Sequence, residues 1–83
     1  MKLKYFAWLR HSMGCESESI ALPDGIRNVG MLLDWLATRD ERFRHAFDYI
    51  DVVLVSVNDV YANRDHPVRD DDEVILAPPI AGG

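Results

Sequence analysis

The sequence predicts an α+β domain in which helices cover one face of a sheet. Three patterns carry that prediction. Lys2 to Arg10 alternates with a period of two. Val29, Leu32, Leu33 and Leu36 recur at the i, i+3, i+4, i+7 spacing of an amphipathic helix. Val52 to Val57 and Glu73 to Ala77 have the β-branched, apolar composition of strands. One long helix covers one sheet face and no more, so the other face is left to water or to a partner.

The elements follow in order. In the first strand Leu3, Tyr5, Ala7 and Leu9 share one face, with Lys4, Phe6, Trp8 and Arg10 on the other. His11 to Ser17, with Gly14 and small polar residues, reads as a turn into a shorter strand over Glu18 to Leu22, which completes a hairpin. Pro23, Asp24 and Gly25 break the chain, Asn28 is placed to cap, and a helix is expected over Val29 to Thr38. Gly30 in its first turn costs up to ~1 kcal/mol relative to alanine. A short second helix is expected after Asp40, where Phe43, Ala46, Phe47 and Ile50 repeat the helical spacing. Val52 to Val57, an Asn58-Asp59 turn and Val60 to Asn63 form two more strands. After the polar turn Arg69 to Asp72, the strand Glu73 to Ala77 ends at Pro78 and Pro79, which lack backbone donors.

Composition narrows the function classes. The chain has 83 residues, 48% of them hydrophobic, which is enough for one domain with one small core. Acidic residues outnumber basic ones 14 to 9, for a net charge of -5, and no basic run offers a footprint for phosphates, so nucleic acid is not the expected partner. No stretch approaches the ~20 apolar residues that span a bilayer, and no membrane partner is expected. The one cysteine, Cys15, has no internal partner for a disulfide, and the apolar stretch Tyr5 to Leu9 is too short for a signal peptide. The expected location is the cytoplasm.

Few side chains suit catalysis. Cys15 has no adjacent basic group to make it a thiolate, and with His11 four residues upstream it forms no triad. His11, His45 and His66 share no ligand spacing with cysteine, and Asp70 to Glu73 lacks the glycine and spaced oxygens of a calcium loop, so no metal is expected. Phe6 and Trp8 among Lys4 and Arg10 suggest either a protein-binding face with a basic rim or a second layer of packing. The segment APPIAGG is the most informative. It carries no charge, two prolines stiffen it, and seven extended residues reach ~23 Å. Glycine lets backbone enter a channel too narrow for side chains. Such a tail can present its own α-carboxylate to another protein.

With these residues placed, the chain resembles the small subunits of molybdopterin synthase, which are ubiquitin-like sulfur carriers with a β-grasp fold. The likeness runs from KLKYFAWLR through NVGMLLDWLA and is densest in VSVNDVYANRDHPVRDDDEVILAPPIAGG, where the double proline before IAGG is the most specific element. It departs at Asp71, where the family usually has glycine, and at Gly30 inside the helix. The resemblance implies a β-grasp domain over residues 1–77, a mixed sheet with one main helix on one face and a short second helix, and a flexible tail over 78–83. It further implies that an ATP-dependent activating enzyme adenylates the carboxylate of Gly83, that a sulfur donor protein converts it to a thiocarboxylate, and that Pro78, Pro79, Ile80, Ala81 and Gly82 thread into the large subunit. There the sulfur builds the dithiolene of molybdopterin from cyclic pyranopterin monophosphate. Phe6, Tyr61 and Ala77 match positions that contact the large subunit, in a heterotetramer whose catalytic pocket belongs to that subunit. No cofactor is held permanently, and ATP is consumed by the activating enzyme. Carriers for thiamine or cysteine synthesis share the Gly-Gly end but generally lack the double proline; they and ubiquitin-like modifiers are the alternative.

Overall fold

The computed structural model describes residues 1–47 and 54–78. Five strands and three helices follow one another: β1 (Lys2–Tyr5), α1 (Trp8–Met13), β2 (Ser17–Ser19), α2 (Val29–Arg39), α3 (Glu41–Phe47), β3 (Leu54–Val57), β4 (Val60–Ala62) and β5 (Glu73–Ala77). The strands form one sheet in the order β2-β1-β5-β3-β4. β5 runs parallel to β1 and antiparallel to β3, so the sheet is mixed. Alternation decides which side of each strand is apolar. Leu3 and Tyr5 of β1, Val74 and Leu76 of β5 and Val55 and Val57 of β3 are buried on one face, in a single core with Val29, Leu32, Leu33 and Leu36 of α2, Leu9 and Met13 of α1 and Phe43 of α3.

The first expected strand is too long. Pleating ends at Tyr5 because Ala7 has φ 55° and ψ -138°, which turns the chain out of the ladder. Much of the turn expected over His11 to Ser17 is helix α1, and Arg10 belongs to that helix instead of the sheet. Leu9 and Met13, four residues apart, are both buried, which gives this short helix the tertiary support that six residues need. It stops at Gly14, left-handed at φ 73°, whose N–H donates to the carbonyls of Arg10 and His11 at 3.1 and 3.2 Å. Arg42 Nη1 donates to the Met13 carbonyl at 2.6 Å and ties α1 to α3. The partner strand is shorter than expected, Ser17–Ser19, with Ile20 and Leu22 leaning on the core beyond it.

Helix α2 lies where its periodicity places it. Asn28 caps it by accepting the Met31 N–H at 2.9 Å. Gly30 has a physical reason there. Its N–H donates to the Arg64 carbonyl at 2.9 Å, and a Cβ at Gly30 would stand 3.0 Å from Arg64 Nε and 3.2 Å from Arg64 Cβ. The close approach of Arg64 to the first turn therefore favours a residue without a side chain. Asp40 ends α2 and caps α3, accepting the Arg42 N–H at 2.9 Å. Phe43 is buried as its spacing requires, while Ile50 and the side chains of Ala46 and Phe47 lie outside the described residues.

Asn58 and Asp59, at φ 51° and 69°, form the tight turn between β3 and β4. The Asn58 side chain also accepts the Glu73 N–H at 3.0 Å, which locks that turn to the start of β5. Of the expected strand Val52 to Val57, residues 52 and 53 lie outside the described residues, and β4 stops one residue before Asn63. The acidic run has structural work. Asp70 accepts the Leu22 N–H and Asp72 the Arg69 N–H, both at 2.7 Å.

Among the described residues, one buried hydroxyl stands out. The Tyr5 hydroxyl is inaccessible and has no hydrogen bond of good geometry; the Arg39 guanidinium beside it interacts with it but is held by Glu18 at 2.7 Å. Burial, reinforced by the Glu18 carboxylate, pushes the phenol above its ordinary range, so it stays neutral. A buried hydroxyl without a partner costs roughly 1–3 kcal/mol of desolvation. Tyr5→Phe is expected to raise stability by about 1 kcal/mol in urea unfolding.

Candidate functional site

The face of the sheet opposite the helices holds the candidate site. Lys4, Ile75, Ser56 and Tyr61 stand in register across β1, β5, β3 and β4 on that face. One pleat nearer the end of β5, Ala77 pairs with Leu54, and Phe6 flanks them from β1, donating its N–H to the Leu76 carbonyl at 3.0 Å. Side chains of these two rows enclose a groove of about 460 Å³, lined chiefly by Phe6, Leu54, Tyr61, Ile75, Ala77 and Pro78. Phe6 is 51% exposed and Tyr61 82%, so large apolar surface stays in water. A contiguous patch of that kind marks an interaction surface.

Position within the sheet gives the groove its meaning. β5 is the middle strand, and Pro78, buried at its end, lines the groove mouth. The three expected contact residues Phe6, Tyr61 and Ala77, which come from separate parts of the sequence, line this one groove. Pro79, Ile80, Ala81, Gly82 and Gly83 lie outside the described residues, as does the side chain of Trp8. Asp59 lines the groove as well, whereas the basic groups sit apart. Lys4 Nζ pairs with Glu73 at 3.6 Å toward the other end of the face. Arg10, expected on the same rim, leaves it because it is helical, and pairs with Glu16 at 3.7 Å. The basic rim is therefore reduced to the lysines of β1.

Sequence reading missed Leu54 and Ile75 as groove walls. The signal was present for Ile75, two residues before Ala77 on an alternating strand, whereas Leu54 needed the pairing register of β3 with β5.

The other side chains weighed for chemistry lie elsewhere. Cys15 follows α1, and its thiol points to a Glu18 oxygen at 3.9 Å. Burial and the Glu18 charge push the thiol above its ordinary pKa, which keeps it protonated and poorly nucleophilic. His66 Nδ1 lies 2.8 Å from the Pro67 carbonyl. Among the described residues no three His, Cys, Asp or Glu side chains are grouped to hold a metal ion. No described helix is long and apolar enough to cross a membrane.

Comparison with known proteins places the chain in a family and a fold. The family model for the ThiS family matches residues 3–83. The molybdopterin synthase sulfur carrier subunit of Escherichia coli (strain K12) is 30% identical over 83 residues, covering 100% of this chain and 99% of the relative. SAMP1 from Haloferax volcanii superposes with a TM-score of 0.80 at 28% identity, covering 100% of this chain and 98% of that one. A Pyrococcus furiosus protein assigned as molybdopterin converting factor, subunit 1, gives 0.75 at 33% identity, with 95% of each chain covered. The fold is the β-grasp of ubiquitin-like proteins.

The groove is surface and not core, which mutation can separate. Tyr61→Ala is expected to change the unfolding free energy by no more than about 1 kcal/mol, the span of strand preference. Leu76→Ala, on the opposite face of β5, should cost roughly 2–5 kcal/mol. Denaturant unfolding of the two variants checks both.

Proposed function

This chain belongs to the ThiS family, and from that premise we propose that it is the sulfur-carrying small subunit of molybdopterin synthase. One observation carries the reading: the match to the Escherichia coli sulfur carrier subunit runs end to end and so includes APPIAGG. The geometry supports it. A groove beside the root of the tail lets a partner grip the domain and receive the tail at once. Residues 79–83 reach at most about 18 Å beyond Pro78, so the partner's active centre lies within that radius of the groove mouth.

The chemistry follows from the terminal carboxylate of Gly83. With a pKa near 3.3–3.7 it is ionised at neutral pH and is a poor electrophile. Its oxygen attacks the α-phosphorus of ATP in the activating enzyme, pyrophosphate leaves, and the acyl adenylate forms. Sulfur from a donor protein then displaces AMP and leaves the thiocarboxylate. In the large subunit, with Pro78 to Gly82 threaded toward the active centre, the thiocarboxylate sulfur attacks the pterin precursor and an oxygen substituent leaves; water then cleaves the acyl–sulfur bond, which leaves sulfur on the pterin and returns the Gly83 carboxylate, and two successive deliveries complete the dithiolene. The domain, residues 1–77, contributes docking through Phe6, Tyr61 and Ala77, and the tail from 78 contributes reach. The assembly is a cytoplasmic heterotetramer of two small and two large subunits.

A second reading is favoured by the superposition on SAMP1. In it the same activated glycine serves another acceptor, a protein amine or a different biosynthetic enzyme, and the partner that receives the tail discriminates.

The test uses the full chain with the activating enzyme, ATP and sulfur donor. Intact mass should rise by about 16 Da as sulfur replaces oxygen, in the wild type and in Cys15→Ser alike. Deleting Gly83 moves the carboxylate by about 3.3–3.6 Å, and a misplacement of ~1 Å already costs about a hundredfold, so the deletion should gain no sulfur. Phe6→Ala should weaken binding to the large subunit by about 2 kcal/mol or more, roughly thirtyfold. A truncated chain that gains sulfur as readily as the full one would overturn the proposal.

A further inference from the structure

Ala7 is an outlier without a local excuse. Among the described residues, three that are not glycine have positive φ. Asn58 and Asp59 occupy the ordinary left-handed region of a hairpin turn, which their side chains tolerate. Ala7, at φ 55° and ψ -138°, lies in a region that glycine fills readily and residues with a Cβ do not. Such strain persists where the surroundings over-determine it and where a site uses the geometry.

The surroundings are on both sides. Phe6 is held to β5 through its N–H and the Leu76 carbonyl at 3.0 Å, and the Ala7 carbonyl accepts the Arg10 N–H at 3.2 Å to open α1. Leu9 is fully buried two residues later. The chain must therefore leave the sheet within one residue, keep Phe6 on the outer face and drive Leu9 into the core. Ala7 is the residue that makes the turn, and it lines the groove together with Phe6 and Pro78. Glycine would make the same turn with less strain and with many more alternative conformations. A larger side chain at this place would project into the groove mouth.

We propose that Ala7 is a positioning residue: its Cβ narrows the conformations of the β1–α1 junction and so pre-orders Phe6 at the rim of the groove, while its small size keeps the mouth beside Pro78 open. The inference rests on the reading of the groove as the surface that docks the large subunit. Pre-ordering raises affinity by removing the ordering cost at binding.

Three variants of the full chain test it, with the large subunit as probe. Ala7→Gly should fold with equal or greater stability yet bind about fivefold more weakly, and the backbone order parameters of residues 6 and 7 should fall in the free protein. Ala7→Ser keeps a Cβ and a small volume and should retain both affinity and order. Ala7→Leu should lose affinity by obstructing the mouth; if it fails to fold, the glycine and serine pair still decides. Ala7→Gly with unchanged affinity and unchanged order parameters overturns the proposal. Phe6→Ala separates the two levels: if it binds as wild type, the docking reading itself fails, whereas a weakened Phe6→Ala beside an unaffected Ala7→Gly refutes the role of Ala7 alone.

Discussion

The pairing of β1 with β5 is the constraint on which the other features rest. It joins the first strand to the last in a parallel ladder from Lys2–Glu73 to Tyr5–Leu76. A parallel pair needs a crossover, and everything between the two strands supplies it. With β1 fixed beside β5, the remaining edge of β5 is taken by β3, and the central strand is the last of the described strands in sequence. The core face and the outer face are then set by two short alternating strands, because a one-residue slip in this ladder would turn Leu3, Tyr5, Val74 and Leu76 out of the core. That same ladder brings Phe6 to within one row of Ala77, although they are far apart in sequence. The groove and the end of β5 beside it are thus consequences of one register.

The crossover explains the less regular parts. α2 must lie across a sheet whose strands are short, and its first turn is clasped by the 63–66 loop so closely that a Cβ at position 30 would press on the Arg64 side chain. Its amides are consumed by Asn28 and by the carbonyls of His66 and Arg64. No donor of that first turn is left for an anion, so the helix terminus is structural. The acidic turn before β5 works likewise, with Asp70 and Asp72 capping backbone donors in loops at opposite ends of the connection. These two carboxylates close loops, and the mostly apolar groove, with Asp59 at its wall, is a separate surface.

Much of this was legible in the sequence, for reasons that can be stated locally. The spacing of Val29, Leu32, Leu33 and Leu36 and the cap at Asn28 place α2 to within a residue, and Pro78 ends β5 where its missing donor requires. The β1–α1 junction was not legible. Leu9 is buried whether the chain continues as a strand or turns into a helix, so an alternating pattern fits both, and the deciding event is the conformation of an alanine that no propensity marks. Gly30 was visible as an anomaly, but its cause is a tertiary contact with Arg64. At the site, Phe6, Tyr61 and Ala77 were named through resemblance; that they line one groove depends on registers of β1, β3 and β4 with their neighbours, which no single strand encodes.

The proposed chemistry also accounts for what the domain lacks. A group carried on the terminal carboxylate takes its reactivity from activation by ATP and its environment from the partner's pocket, so the carrier's own side chains need only hold and release. Holding argues for a small apolar groove, because the same face must let go after each transfer if the carrier is to return to its activating enzyme. A surface of this kind gives binding through a few aromatic anchors, and affinity is then tuned by how well those anchors are ordered before contact. The strained junction at Ala7 fits that requirement: it fixes one anchor without adding contact area, raising affinity by reducing disorder in the free state and leaving the extent of the interface, and hence the ease of release, unchanged.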